Sequence, residues 1–391
     1  MRTPRGGFTS RIVGALILAS PSLAAQQTGQ DQQAGAEVEP TPKGIQWTTG
    51  DYKWKIGGYI KVDVIHDFDE IGSTDFFDVR TIPTAGANEP GDSTRIHARQ
   101  TRLNLDVTGP TSAGAFRAFF EGDFFSDQNG FRMRHAYGTV GHVLGGQTWS
   151  TFMDENAMPE TLDFESPVAF PLIRQAQVRW TQELENGNYF AVSLEDPDSD
   201  VIPAAGLTGE TDEPLPDLNA RVHLKNPLGH VQLGLFSGMA RFDPGTGSTN
   251  DAWLWGANLS TKLTTWGSDN AIAQITYGEG VARYRGGNTA AYDANGNLDA
   301  IPTLGILGSY QHYWAEDFRS SVGYSWGDGD VPSGAPPATT TEQLQYGFAN
   351  LIWQFADRAW VGIEYLYGER QTFDNADGTA HRIQISLRFD I

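Results

Sequence analysis

The sequence predicts an all-β fold, a transmembrane antiparallel β-barrel of about 16 strands with short periplasmic turns and long extracellular loops. Three observations carry this reading. Polar and apolar residues alternate through most of the chain, connections between alternating segments switch between brief and long, and the N-terminus has the build of an export signal.

Arg2, Arg5 and Arg11 precede the apolar run Ile12 to Ala19, and small residues Ala24 and Ala25 follow. This pattern predicts a signal peptide over residues 1–25, because the run is well short of the ~20 apolar residues of a spanning helix. Residues 26–50, rich in Gln, Gly, Glu and Pro at their start, are expected to form a flexible leader, and the barrel is expected over 51–391. The chain has no cysteine, which excludes a disulfide scaffold, a thiolate metal site and a cysteine nucleophile. Cleavage of the signal removes three of 27 basic residues and none of 48 acids, taking the net charge from −21 to −24. A chain so acidic lacks the basic surface that nucleic acid requires, so no nucleic-acid partner is expected.

Alternating segments lie near 55–68, 96–108, 114–125, 130–141, 142–153, 174–185, 188–196 and 217–226, then near 230–239, 252–264, 270–279, 303–314, 318–327, 343–355, 358–369 and 380–391. Brief connections such as 141-GH-142, 185-ENGN-188, 226-NPLG-229 and 355-FADR-358 carry hairpin chemistry. The intervening ones, notably 69–95, 154–173, 197–216, 280–302 and 328–342, are long and polar. Aromatics near segment ends, including Trp180, Trp253, Trp255, Tyr277, Tyr310 and Tyr365, suit interfacial girdles. A soluble sandwich would show the same alternation with its apolar face as the core; the segment number, the length asymmetry of the connections and the signal favour the membrane barrel.

Alternation also assigns faces. With Leu103 and Leu105 toward lipid, Arg102 points into the lumen; with Ala118, Phe120 and Phe124 toward lipid, Arg117, Glu121 and Asp123 point inward. Similarly, 131-FRMRHAYG-138 sends Arg132 and Arg134 inward with Phe131, Met133 and Tyr137 outside, and 174-RQAQVRW-180 sends Gln175, Gln177 and Arg179 inward. Arginine on the lipid side would cost roughly 2–4 kcal/mol near the midplane, so these five arginines form a basic wall inside. Further lumen candidates are Asn219, Arg221, His223 and Lys225, and Glu364 with Arg370, Arg382 and Arg388, where a cross-strand ion pair of Glu364 with Arg382 or Arg388 is expected.

The motifs 98-ARQTRLNLDVTGP-110, 131-FRMRHAYGTVG-141, 145-GGQTWSTF-152 and 174-RQAQVRWTQ-182, in this order, resemble the trimeric sixteen-stranded outer-membrane porins, most closely the DcaP-like family, over about 57–391. The resemblance implies a homotrimer of water-filled barrels in the outer membrane. It also implies a third loop, here 153–173, that folds into the lumen, and diffusion of small anionic or polar solutes, carboxylates among them. Residues 26–44 show no heptads, so a coiled-coil stalk is not expected. The third loop carries Asp154, Glu155, Glu160, Asp163 and Glu165; set opposite the arginines, these acids would create a transverse field. At ~8 Å in water each unit pair is worth about 0.5 kcal/mol, a bias toward anions rather than an exclusion of cations.

Other classes find less support. The string 323-GYSWG-327 matches a nucleophile elbow, but alternation runs straight through it and no helix follows, which disfavours a barrel enzyme. The strings 196-DPDSD-200 and 293-DANGNLD-299 lack the glycine at position six and the distal glutamate of a calcium loop, and the eight histidines show no metal motif, so no metal or cofactor is expected. A surface or adhesion barrel, with its long loops as the working part, is the remaining alternative.

Overall fold

The computed structural model describes residues 44–84, 90–204, 206–245, 247–336 and 338–391. The expected signal peptide (1–25) and most of the expected leader lie outside the described residues.

Alternating sequence becomes sixteen antiparallel strands. They are β1 Tyr52–Asp69; β2 in two stretches, Pro90–His97 and Arg102–Thr111; β3 Gly114–Asp123; β4 Arg132–Val140; β5 Val143–Trp149; β6 Arg174–Glu183; β7 Tyr189–Glu195; and β8 Asp217–Asn226. There follow β9 Gly229–Asp243, β10 Asn250–Thr264, β11 Asn270–Glu279, β12 Pro302–Ala315, β13 Phe318–Gly329, β14 Thr341–Ala356, β15 Ala359–Thr372 and β16 Asp377–Asp390. Each strand pairs with its sequence neighbour, and β16 returns to β1 over the register Tyr59↔Asp390 to Asp67↔Arg382, closing the barrel. Closure removes the open sheet edges that lipid cannot solvate.

One stretch of edge would escape this closure, because β1 begins seven residues before its pairing with β16. The segment Ile45–Thr49 fills it, folding back through Gly50 at φ +60° to pair Ile45↔Ile56 through Thr49↔Tyr52. The Ile391 amide donates to the Gly58 carbonyl at 3.0 Å where the two partners meet end to end. The leader expected through residue 50 is therefore ordered from Ile45 onward, because it completes the edge of β1.

Side chains sort inside out relative to a soluble protein. Val64, Ile363 and Ile385, neighbours on β1, β15 and β16, are exposed on the outer surface, as are Leu103, Val178, Leu233 and Trp253. Lys61, Asp63, Asp67, Glu364, Arg382 and Gln384 are buried inside. The interior also holds apolar clusters where loops fold in: Phe77, Val79 and Ile82 of the first long loop (70–89) pack on Tyr346, Phe348 and Leu366 of the wall.

One face assignment fails for a physical reason. Between β3 and β4 the register slips, Glu121 facing His135 and Gly122 facing Met133, so Arg134 is an extra residue. Such a bulge reverses alternation beyond it. Tyr137, expected outside, is consequently 5% exposed and packs on Phe119 within the barrel.

Replacing Ile385 with Arg is expected to cost about 2–4 kcal/mol in a bilayer, as for charge on a lipid face. Urea titration of refolding into vesicles, scored by heat-modifiable mobility, measures it; a cost within ~0.5 kcal/mol, normal for a water-facing site, would contradict the assigned face.

Candidate functional site

The third long loop, 150–173, leaves β5 and crosses the interior to β6. It lies flush against the wall where the wall has no side chain. A Cβ on Gly362 of β15 would stand 2.9 Å from Leu162, and one on Gly234 of β9 would stand 2.5 Å from the Phe152 carbonyl oxygen. Met153, Ala169 and Phe170 of the loop cluster with Leu307 of β12.

Polar anchoring follows the same route. Glu364, fully buried on β15, accepts the amides of Leu162 and Asp163 at 2.9 and 2.8 Å and the Asn350 side chain at 2.9 Å. Lys61 and Gln384 donate to the Leu162 carbonyl at 2.5 and 3.0 Å. The expected Glu364 pair with Arg382 or Arg388 is not formed: Arg382 chelates Asp67 at 2.5 and 3.0 Å and reaches Asp163 at 3.4 Å, and Arg388 pairs with Asp390. Backbone amides of the loop occupy the carboxylate instead, a substitution that alternation cannot reveal.

The five loop acids are held by strands or loops away from the predicted wall. Asp154 meets His230 at 2.8 Å and Ser260 at 2.6 Å; Glu155 meets Arg221 at 2.9 Å; Glu160 chelates Arg319 at 2.6 and 2.7 Å. Asp163 accepts the Phe77 amide at 3.0 Å beside Arg382, and Glu165 meets Arg285 at 2.6 Å and Arg80 at 3.4 Å. Burial alone would raise the pKa of Asp154, but His230 and Ser260 hold it below the ordinary carboxylate value. Burial does raise that of Asp163, against the opposing pull of Arg382 and the Phe77 amide.

The predicted arginine wall divides. Arg117 chelates Asp106 at 2.8 and 2.9 Å, and Arg179, 2% exposed, donates to Gln177 and to the Trp149 carbonyl; neither lines the cavity described next. Arg102, Arg132 and Arg134 do. They are joined by three arginines that sequence reasoning missed: Arg174 at the first residue of β6, Arg80 of the first loop and Arg285 of the sixth (280–301). Arg80 and Arg285 sit in loops, where alternation gives no direction. The six surround a space of about 280 Å³ whose lining also includes Glu121, Glu165, His135, Trp149 and Phe164.

Most of the guanidinium groups in this cavity meet acids. Arg132 chelates Asp123 at 3.0 and 2.9 Å, Arg134 meets Glu121 at 2.9 Å and Asp123 at 3.1 Å, and Arg102 lies 4.0 Å from Glu121. Arg80 pairs with Asp78 at 2.8 Å as well as with Glu165. Among the described residues, five of the six guanidinium groups thus have a carboxylate within 4 Å. Arg174 has no carboxylate within 4 Å among the described residues and instead stacks on Trp149, 4.4 Å from the ring centroid. Arg80 also donates to the carbonyls of Arg285 and Gly286 at 2.6 and 2.7 Å, tying the first and sixth loops together over Glu165 of the third.

Ser325, the central residue of the elbow-like string, sits within β13, which runs on to Gly329 as strand.

Comparison with known proteins places this geometry. The model of the family described as DcaP outer membrane protein matches residues 36–391. No curated protein matches the sequence. Among solved structures, the outer membrane channel DcaP of Acinetobacter baumannii superposes with a TM-score of 0.78 at 23% identity, covering 89% of this chain and 99% of that one. The anion-selective porin from Comamonas acidovorans gives a TM-score of 0.58 at 12% identity, covering 87% and 100%. The trimer form of OmpT from Vibrio cholerae gives 0.56 at 13%, covering 88% and 100%.

Glu364→Ala is expected to leave the Leu162 and Asp163 amides without an acceptor, costing about 1–3 kcal/mol and loosening the third loop. Limited proteolysis should cut faster within 153–173 while the barrel stays intact; an unchanged rate would show that Glu364 does not seat the loop.

Proposed function

Since the chain belongs to the DcaP outer membrane protein family, we propose that it is a porin of the outer membrane through which small hydrophilic solutes diffuse, with anions, carboxylates among them, favoured by the six-arginine cavity. The observation that carries this reading is the convergence of Arg80, Arg102, Arg132, Arg134, Arg174 and Arg285 on one space, with Arg174 lying over Trp149 and no carboxylate within 4 Å of it among the described residues. The one charge without an acid, that of Arg174, attracts a monovalent anion at ~8 Å in water by roughly 0.5 kcal/mol, a preference of about twofold before salt screening. The net charge of the whole chain is strongly negative, so local arrangement and not the total sets the sign.

Arginine is suited to this work because its planar fork binds a carboxylate through two parallel hydrogen bonds and keeps its charge throughout the relevant pH range. The transverse field envisaged from the sequence takes a different form in this reading. Glu165 is the one predicted loop acid among the residues lining the cavity, while the other four brace the loop. Arg117 and Arg179 are assigned to bracing, and Arg174, Arg80 and Arg285 to selectivity. A homotrimer, and division of the chain into a signal peptide over 1–25 and a barrel with an inward third loop, complete the proposal; a trimer form is known for OmpT of Vibrio cholerae.

The test is the reversal potential of the purified protein in a planar bilayer under a KCl gradient. Wild type should be anion-selective, and Arg174→Ala and the double change Arg132→Ala with Arg134→Ala should each move the potential toward the cation side, whereas Arg117→Ala should leave it in place. Cation selectivity in wild type, or equal effects of all three variants, would remove the cavity from the permeation path. A protein without conductance would count against the porin reading itself and favour a surface barrel.

A further inference from the structure

Away from the arginine cavity, the third loop meets two histidines that are far from it in sequence. His223 on β8 lies opposite Gln232, and His230 on β9 lies opposite Lys225, so the two are diagonal neighbours on the inner face of one hairpin. Their rings stack with centroids 4.6 Å apart, and no other pair of histidine rings is in contact among the described residues. Asp154, the fifth residue after the end of β5, brings a carboxylate to the same point: Oδ2 is 2.8 Å from His230 Nε2. One donor atom from each of Asp154, His223 and His230 can be chosen so that all lie within 4.8 Å of one another, and all three residues are buried.

We propose that Asp154, His223 and His230 form a binding site for a divalent transition-metal ion of the zinc class, which clips the start of the third loop to the β8–β9 wall. Two imidazole nitrogens and one carboxylate oxygen are a donor set for zinc, nickel or copper rather than for magnesium or calcium, which take oxygen. Donors on a tetrahedral zinc stand about 3.3 Å apart at bond lengths near 2.0 Å, so a small inward shift completes the triad. A fourth ligand is at hand in Ser260 Oγ, 2.6 Å from Asp154 Oδ2, or in Gln232 Oε1, 3.3 Å from His223 Nδ1. The surroundings are already ordered for the purpose. Tyr189 stacks on His223 at 4.7 Å, Asp154 Oδ1 caps the Glu155–Ala157 turn by accepting the Asn156 amide at 3.1 Å, and Gln232 donates to the Met153 carbonyl at 3.0 Å. With the metal absent, the Asp154–His230 pair closes the same contact more weakly, so the ion strengthens a latch that the fold provides.

The experiment is calorimetric titration of the chelator-treated, purified full-length protein with ZnCl2, with MgCl2 as control. It is repeated on His223→Gln and His230→Gln after heat-modifiable mobility confirms a folded barrel. One zinc per chain is expected, no magnesium, and a loss of affinity of about tenfold or more in each variant, the scale that even second-shell losses reach. Should a variant not fold, the paramagnetic resonance spectrum of the wild-type protein with one equivalent of Cu2+ decides, since this site gives coupling to two imidazole nitrogens. Absence of zinc binding, equal binding of magnesium, affinity untouched by both variants, or a copper spectrum with fewer than two such nitrogens would overturn the proposal.

Discussion

Lipid cannot hydrogen-bond to a peptide group, and that constraint governs the rest of the molecule. It forces β16 to return to β1, and it explains the small hairpin strand Ile45–Thr49, which covers the part of the β1 edge that β16 does not reach. Closure then fixes what each strand can carry. Outward positions across the bilayer must be apolar, so charged residues along the spanning strands turn inward, and Lys61, Asp63, Asp67, Arg134, Glu364 and Arg382 share a confined space. The crowding of charge is thus a consequence of the solvent outside, before any question of transport arises.

Confinement makes pairing obligatory, because an unpaired buried charge costs several kcal/mol. Most of the interior obeys this. Asp67 with Arg382, Asp106 with Arg117, Asp217 with Arg283 and Glu160 with Arg319 are close pairs that set geometry rather than function. The third loop exploits the same rule: its acids find cations, histidine or amide donors around the wall, and its amides find Glu364, so its path is set by polar satisfaction as much as by the apolar contacts of Met153 and Phe170. Against that background Arg174 stands apart: it has no carboxylate within 4 Å among the described residues and lies over Trp149 instead.

The strand layout was legible from alternation and from connection length, and the inward direction of Arg102, Arg132, Arg134, Gln175 and Gln177 follows from residues such as Leu103 and Val178 on the opposite face. Three kinds of feature were not legible. The bulge at Arg134 inverts Tyr137, because one inserted residue leaves composition unchanged while reversing the face. Arg80 and Arg285 come from loops, which have no period to read. The partners of Glu364, Asp154 and Glu165 are set by how the third loop lies in three dimensions, and sequence separations of 76 residues for Asp154 and His230 and of 202 for Leu162 and Glu364 give no local cue.

The aromatic residues around the cavity explain why guanidinium groups rather than ammonium groups line it. Arg174 lies over Trp149, and Arg132 and Arg134 lie 5.3 and 5.7 Å from the centre of Phe164, a third-loop residue that stacks in turn on Phe125 at 4.1 Å. A flat cation on an aromatic face keeps its edge free to donate, and it gains from the ring quadrupole without a carboxylate to neutralise it. Stacking therefore lets Arg174 remain charged and oriented while unpaired, which a lysine, compact and strongly hydrated, would not match. The aromatic positions are in this sense part of the electrostatics: they supply the stabilisation that a neutralising acid would otherwise have to supply, and they do so without cancelling the charge that the cavity presents.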